Sequence, residues 1–354
     1  MTNPWKVPAS IARRLFAAVL VAVTALLPAC DRTREPDAPR SAANAGAPTT
    51  LRLGFRPRAL ADVTPVVIFE EQLQAEGLNV IPVKLSTPAD AFNKLNAGEV
   101  DAIAGIPLTT VFKQFENGPP KTGFRAYCLQ VDKAGEGWVS LVTPAGAVRD
   151  DDLSGLKGMT IGSLPTDQAV WLLKRILRAG GLQPQETEET VAGADVFISR
   201  YNPATPTLQL ESGQQQGLFG LEPAIAKARS LGYEAAVRGP VSRFLYNGRP
   251  VPVSASMITD DFAKRHPDAF RAFLTLVDRA VQRIDAAPDI VRQHFTKRDY
   301  GGLSPEECRL LFMPIMVKPS KELRGITQRY IDDHRRDGML EHEIPLDKLF
   351  SIDD

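Results

Sequence analysis

Leu95–Ile106 reads LNAGEVDAIAGI, and Leu210–Leu221 reads LESGQQQGLFGL. Both run leucine, two residues, glycine, three residues, a small residue, an aliphatic, one residue, glycine, aliphatic. In each, a helix-like run ends at a glycine, the residue that most readily takes the left-handed turn after a helix. A short apolar run then follows and reads as a strand. The same helix–turn–strand plan in two distant parts of the chain predicts two α/β lobes built alike.

The chain around each stretch agrees. LRLGF (51–55) reads as a strand and PVVIFEEQLQAEG (65–77) as a helix ended by Gly77. NVIPVKLS (79–86), PADAFNKLNAG (88–98) and VDAIAGIP (100–107) continue as strand, helix and strand. The alternation restarts with MTIGS (159–163), then TDQAVWLLKRILRAGG (166–181), with Thr166 as its N-cap. VFISRYN, PTLQLESG and QQQGLFGL follow as strand, short helix and strand. Alternating elements with short links predict parallel α/β sheets. The rest is helical after one more strand in VPVSASM. A helix start at Asp260 or Asp261 opens a long amphipathic run with Ala269, Phe273, Leu276, Val277, Ala280 and Ile284 on one face. Further helices are expected near Ser304 and over SKELRGITQRYIDDHRRDGML, the last ended by Gly338.

The first thirty residues are a different material. Lys6, Arg13 and Arg14 precede the apolar run LFAAVLVAVTALL, and no acid occurs. That run is shorter than the ~20 residues a spanning helix needs and suits a signal peptide over residues 1–29. LPAC, ending at Cys30, resembles the lipobox of bacterial lipoproteins, although Pro28 stands where a small or β-branched residue is usual. The resemblance implies acylation of Cys30 and a membrane anchor; cleavage at a nearby alanine is the alternative. Residues 30–50, rich in Ala, Pro and polar residues, read as a tether.

Hydrophobic residues make up 44% of the chain and charged ones 24%, with a formal net charge of zero. That balance argues against a nucleic-acid partner. After Cys30 only Cys128 and Cys308 remain, read as two separate buried thiols, with pairing as the alternative. No Cys/His cluster has metal spacing, and no nucleophile elbow, P-loop or dinucleotide fingerprint occurs. The residues therefore favour binding without chemistry and without a cofactor.

Four segments carry a family resemblance: GEVDAIAG (98–105), DLSGLKGMTIGSLPTDQAVWLL (152–173), GLEPAIAKARSLGY (220–233) and SASMITDDFAKRHPDAFRAFLTLVDRAVQRIDAAPD (254–289). Together with the export signal they resemble the substrate-binding proteins of bacterial ABC importers, in the nitrate/sulfonate/taurine-type branch. Departures are QQQG, where the second lobe usually repeats an Asp-Ala, and SLPTDQ, where a glycine-rich turn is usual. The resemblance implies an α/β, two-lobed periplasmic-binding-protein-like (type II) fold. Two parallel-sheet lobes would be joined by two crossing strands, near Val139–Pro144 and Val251–Met257, with helices at the C-terminus. Residues 51–142 plus 251–354 would form lobe I, and residues 143–250 lobe II. The implied function is capture of a small anionic or zwitterionic molecule in the interlobe cleft, for delivery to an ABC permease and its ATPase by a monomer. A ligand-sensing receptor, or an enzyme of the same fold of the thiamine-pyrimidine or menaquinone type, is the alternative.

Ligand contacts are expected at the C-terminal ends of strands. In lobe I these are Phe55, Arg56, Arg58, Thr87, Pro107 and Thr109; in lobe II they are Ser163, Thr166, Tyr201, Asn202 and Glu222. Arg56 and Arg58 offer planar forks for an oxyanion. As a ligand contact, Arg56 is expected to tolerate alanine with little loss of stability. Phe55 and Tyr201 would supply an aromatic wall. Thr87 and Thr166 also suit helix N-caps. Glu222, before Pro223, suits either a helix start or the rim of the cleft.

Overall fold

The computed structural model describes residues 48–57, 59–72, 75, 77–116, 123–187, 193–298 and 302–350. Ala45–Asp354 form one compact unit. The expected signal segment, Cys30, most of the tether and Arg58 lie outside the described residues.

Twelve strands are described: β1 Thr49–Phe55, β2 Leu78–Lys84, β3 Ala102–Pro107, β4 Phe124–Asp132, β5 Val139–Thr143, β6 Thr160–Ser163, β7 Pro184–Glu186, β8 Val196–Arg200, β9 Gly217–Leu221, β10 Glu234–Arg238, β11 Val251–Thr259 and β12 Ile315–Val317. They form two six-stranded sheets, ordered β12-β4-β11-β3-β1-β2 and β10-β5-β9-β6-β8-β7. The helices used below are α1 Val63–Glu71, α2 Pro88–Asn96, α3 Leu108–Glu116, α4 Asp167–Ala179, α5 Leu208–Glu211, α6 Ala224–Ser230, α7 Pro240–Leu245, α8 Asp260–Arg265, α9 Pro267–Ala286, α10 Pro288–Arg298, α11 Pro305–Leu310 and α12 Lys321–Arg336.

The repeated motif has a structural meaning. In both copies the turn glycine, Gly98 or Gly213, takes a positive φ of 69° or 73°. The strands that follow, β3 and β9, hold equivalent places. β3 pairs parallel with β1 and antiparallel with β11; β9 pairs parallel with β6 and antiparallel with β5. Each sheet is thus mixed, parallel on one side of the repeated strand and antiparallel on the other. The expected all-parallel sheets overlooked strands that enter from the other lobe and so run the opposite way.

The lobe boundaries also differ from the sequence expectation. β5, placed in the first crossing, is a strand of the second sheet, paired with β9 and β10. The crossings are the segments 133–138 and 239–250, the latter containing α7. The long helix expected from Asp260 is broken at His266, because Pro267 starts α9 anew with no N–H to give the preceding turn. The buried face of α9 holds the six predicted residues.

α12 does not belong to the first lobe alone. Its Tyr330 ring lies 6.4 Å from Phe112 of α3 and 6.1 Å from Trp171 of α4. Asp333 of α12 accepts from Tyr246 Oη at 2.9 Å and pairs with Arg175 Nη1 at 2.9 Å. The helix is wedged between the two lobes. Cys128 and Cys308 are both buried and free.

Candidate functional site

Between the sheets lies a cavity of about 80 Å³ lined by Pro107, Leu164, Thr166, Gln168, Phe219 and Ser254, among others. It is built where β3, β6 and β9 reach their C-terminal ends and where β11 crosses beside them. Leu172 of α4 and Leu221 of β9 extend its apolar wall. Thr166, Gln168 and Ser254 bring hydrogen-bonding groups. Thr166 also caps α4, its Oγ1 accepting from the Ala169 N–H at 3.3 Å.

From the lining residue Gln168 a run of side-chain hydrogen bonds joins three elements. Thr109 Oγ1, in the first lobe, donates to Gln168 Oε1 in the second at 2.5 Å. Gln168 Nε2 donates onward to Tyr330 Oη of α12 at 2.7 Å. All three residues are buried. Gln168 and Tyr330 were missed from sequence. Gln168 is the second residue of an amphipathic helix and looks like ordinary first-turn polarity; only the meeting of three elements gives it a role. Thr109→Val keeps the shape and removes the donor. It should cost about 1–3 kcal/mol, because the buried Gln168 Oε1 loses its donor, read from urea midpoints, and Gln168→Ala should cost more because two partners lose their bond.

The other expected contacts divide. Arg56 is committed inward: its Nη2 reaches Asp62 Oδ1 at 3.1 Å and the Gly105 carbonyl at 2.5 Å, and its backbone N–H donates to Asp62 Oδ2 at 2.5 Å. Asp62 is 1% exposed, and burial raises its carboxyl while Arg56 pulls it back. Phe55 is buried in the core, edge-on to Phe69 at 5.6 Å. Thr87 is exposed and caps α2 by accepting from the Asp90 N–H at 3.1 Å. Asn202 is exposed and accepts from the Ala204 N–H at 2.9 Å in a local turn. Pro107, Thr109 and Thr166 are thus brought to one place; Phe55, Arg56, Thr87 and Asn202 make other contacts.

Ser163 and Tyr201 are buried strand-end residues whose hydroxyls have no hydrogen-bond partner among the described residues. Ser163 stands in register with Phe219, whose ring lines the cavity. Tyr201 Oη lies against Gly220, another lining residue, and burial holds its phenol well above the usual range.

Glu222 is buried and faces neither solvent nor the cavity. Its Oε2 accepts from the Ala226 N–H at 2.9 Å, and its Oε1 accepts from the Phe312 N–H at 3.0 Å. It caps α6 and ties the second lobe to the segment after α11. Burial pushes its carboxyl up to about 8, against the pull of those two N–H groups and of Arg229 and Arg292. Asp132, at the end of β4, makes a parallel tie by accepting from the Ser242 N–H of α7 at 2.7 Å, and burial lifts it to about 7.

Two α/β lobes, crossed twice by the chain and enclosing a cleft at their strand ends, define a periplasmic-binding-protein-like fold. Solved structures agree on that fold. The periplasmic aliphatic sulphonate binding protein SsuA of Escherichia coli superposes with a TM-score of 0.65 at 12% identity, over 86% of this chain and 98% of that one. SsuA of Xanthomonas axonopodis pv. citri, bound to MOPS, gives 0.58 at 16% identity over 84% and 96%. The nitrate-binding protein NrtA of Synechocystis PCC 6803 gives 0.58 at 17% identity over 83% of each chain. The profile of the NMT1-like family matches residues 44–296, and the chain belongs to that family. A comparison with curated protein sequences finds no match.

Proposed function

We propose that this chain is an extracytoplasmic solute-binding protein that holds a small molecule in the cleft between its sheets and delivers it to an ABC permease. The observation that carries the reading is the cleft itself, assembled from both lobes at strand ends and spanned by the Thr109–Gln168–Tyr330 hydrogen bonds. Structural likeness to sulphonate- and nitrate-binding proteins supports it.

The lining suits an organic body against Leu164, Leu172 and Phe219, with a polar group meeting Thr166, Gln168 or Ser254. An organic sulfonate or zwitterion fits this better than bare nitrate. Arg56 is not assigned to its charged end, because Asp62 already holds that guanidinium. Export, cleavage near Cys30, lipid anchoring at Cys30 and a monomeric state complete the proposal. Among the described residues, no helix is long and apolar enough to cross a membrane.

A melting screen of the protein against nitrate, alkanesulfonates, taurine-like zwitterions, pyrimidines and aromatic acids tests the reading. A ligand at ~100 times its Kd should add about 2.7 kcal/mol. Turnover of any of these compounds, with no compound shifting the melting point, would overturn it in favour of an enzyme.

A further inference from the structure

Away from the cleft, three arginines from three elements meet around Phe312. Arg229 of α6 has its guanidinium carbon 4.3 Å from the Phe312 ring centroid, and Arg238, the last residue of β10, lies at 4.8 Å. Arg292 of α10 donates to the Leu311 carbonyl through Nε at 3.2 Å and Nη2 at 2.9 Å. Two cavities, of about 330 and 410 Å³, adjoin the group, and Arg238 and Phe312 line both. Each is larger than the interlobe cavity. The larger opens on Arg229, and the other on Lys133, at the start of the first crossing, and on Arg292.

Two of the four cations here are paired by protein and two are not. Arg292 pairs with Asp289 at 2.7 Å, and Lys133 with Glu136 at 3.8 Å. Glu234 is turned to the Gly146 N–H at 3.4 Å, and Glu222 to two backbone N–H groups. Asp285 lines the smaller cavity, where burial raises its carboxyl. No carboxylate among the described residues lies within ion-pair distance of Arg229 or Arg238. Arg229 is itself lowered, by burial and by the like charges of Arg238 and Arg292, with Glu222 opposing. Like charges held together cost stability unless an anion joins them. A guanidinium stacked on an aromatic ring keeps its N–H edge free for a bidentate oxyanion, and Arg229 spends only Nη1, on the Leu310 carbonyl at 2.5 Å.

We propose that Arg229 and Arg238, steadied by Phe312, form a second binding site, separate from the cleft, for a phosphoryl dianion. The group could arrive as a soluble phosphate or as a lipid headgroup, and the test has an arm for each. The full chain is titrated calorimetrically with inorganic phosphate and with glycerol 3-phosphate. In parallel it is sedimented with phosphatidylcholine vesicles made with and without phosphatidic acid. Binding is expected in at least one arm, weakening as chloride rises. Arg238→Ala should weaken it about tenfold or more, and Arg238→Glu should abolish it. Arg238 is exposed and its side chain donates no hydrogen bond among the described residues, so both variants should melt with the parent. Arg229→Lys, which keeps the charge and loses the fork, should also weaken binding and serves if either Arg238 variant melts early. No binding in any arm, or binding unchanged in Arg238→Glu or in Arg229→Lys, overturns the proposal.

Discussion

Replacing Arg56 by alanine should lower the folding free energy by about 3–5 kcal/mol, the cost of stranding a buried charge. Asp62 is the stranded group. It is buried, held by the Arg56 guanidinium and backbone N–H, and has Gly105 immediately against it. Gly105 has a φ of +63°, and a Cβ there would lie 2.8 Å from the Ala61 carbonyl carbon as well as striking the Asp62 carboxylate. Water therefore has little room to replace the guanidinium. Urea unfolding at neutral pH measures the loss. Arg56→Ala combined with Asp62→Asn should recover most of it, because a neutral amide still accepts from the backbone N–H of residue 56. Arg56→Lys should fall between, since an ammonium cannot reach both Asp62 and the Gly105 carbonyl as a planar fork does. A midpoint for Arg56→Ala equal to that of the parent would show that the pair is dispensable and return Arg56 to the pool of ligand contacts.

Glu222→Ala should be nearly as damaging. It leaves the Ala226 and Phe312 N–H groups without their acceptor, at about 1–3 kcal/mol each. The same residue sets a pH dependence. Burial raises the folded-state pKa from the ordinary 4.5 to about 8, so the folded chain holds this proton more tightly than the unfolded one. The contribution to stability is full below about 4.5 and is lost as pH rises through about 8. Asp132 acts in the same direction, with its loss complete near pH 7. Melting curves across that range should fall with pH more steeply in the parent than in Glu222→Gln, which cannot titrate. Equal slopes would remove Glu222 as the source.

Much of the architecture was legible because its causes are local. Thr87, Thr166, Ser304 and Ser320 each cap a helix by accepting from a backbone N–H three residues on, within reach of a short side chain. The buried stripe of α9 follows from helical spacing alone. The repeated helix–glycine–strand motif located the two strands at which each sheet changes from parallel to antiparallel pairing. Strand-end reasoning also brought Pro107, Thr109 and Thr166 to one place.

What escaped the sequence depends on partners distant in the chain. Arg56 looked like a free fork after a strand, yet the carbonyl that engages it belongs to Gly105 in a neighbouring strand. Glu222 before Pro223 read as a helix start, and it is one, but its second oxygen serves Phe312, ninety positions on. α12 showed its apolar face plainly without showing that the face spans both lobes. Caps, turns and periodicity are settled within one helical turn or one pleat, so the sequence by itself determined the elements and the two-lobed plan. Which charge meets which acceptor is decided by strand register and by where the crossings place the lobes, so only the tertiary structure decided which expected ligand contacts line the cleft and which hold the fold together.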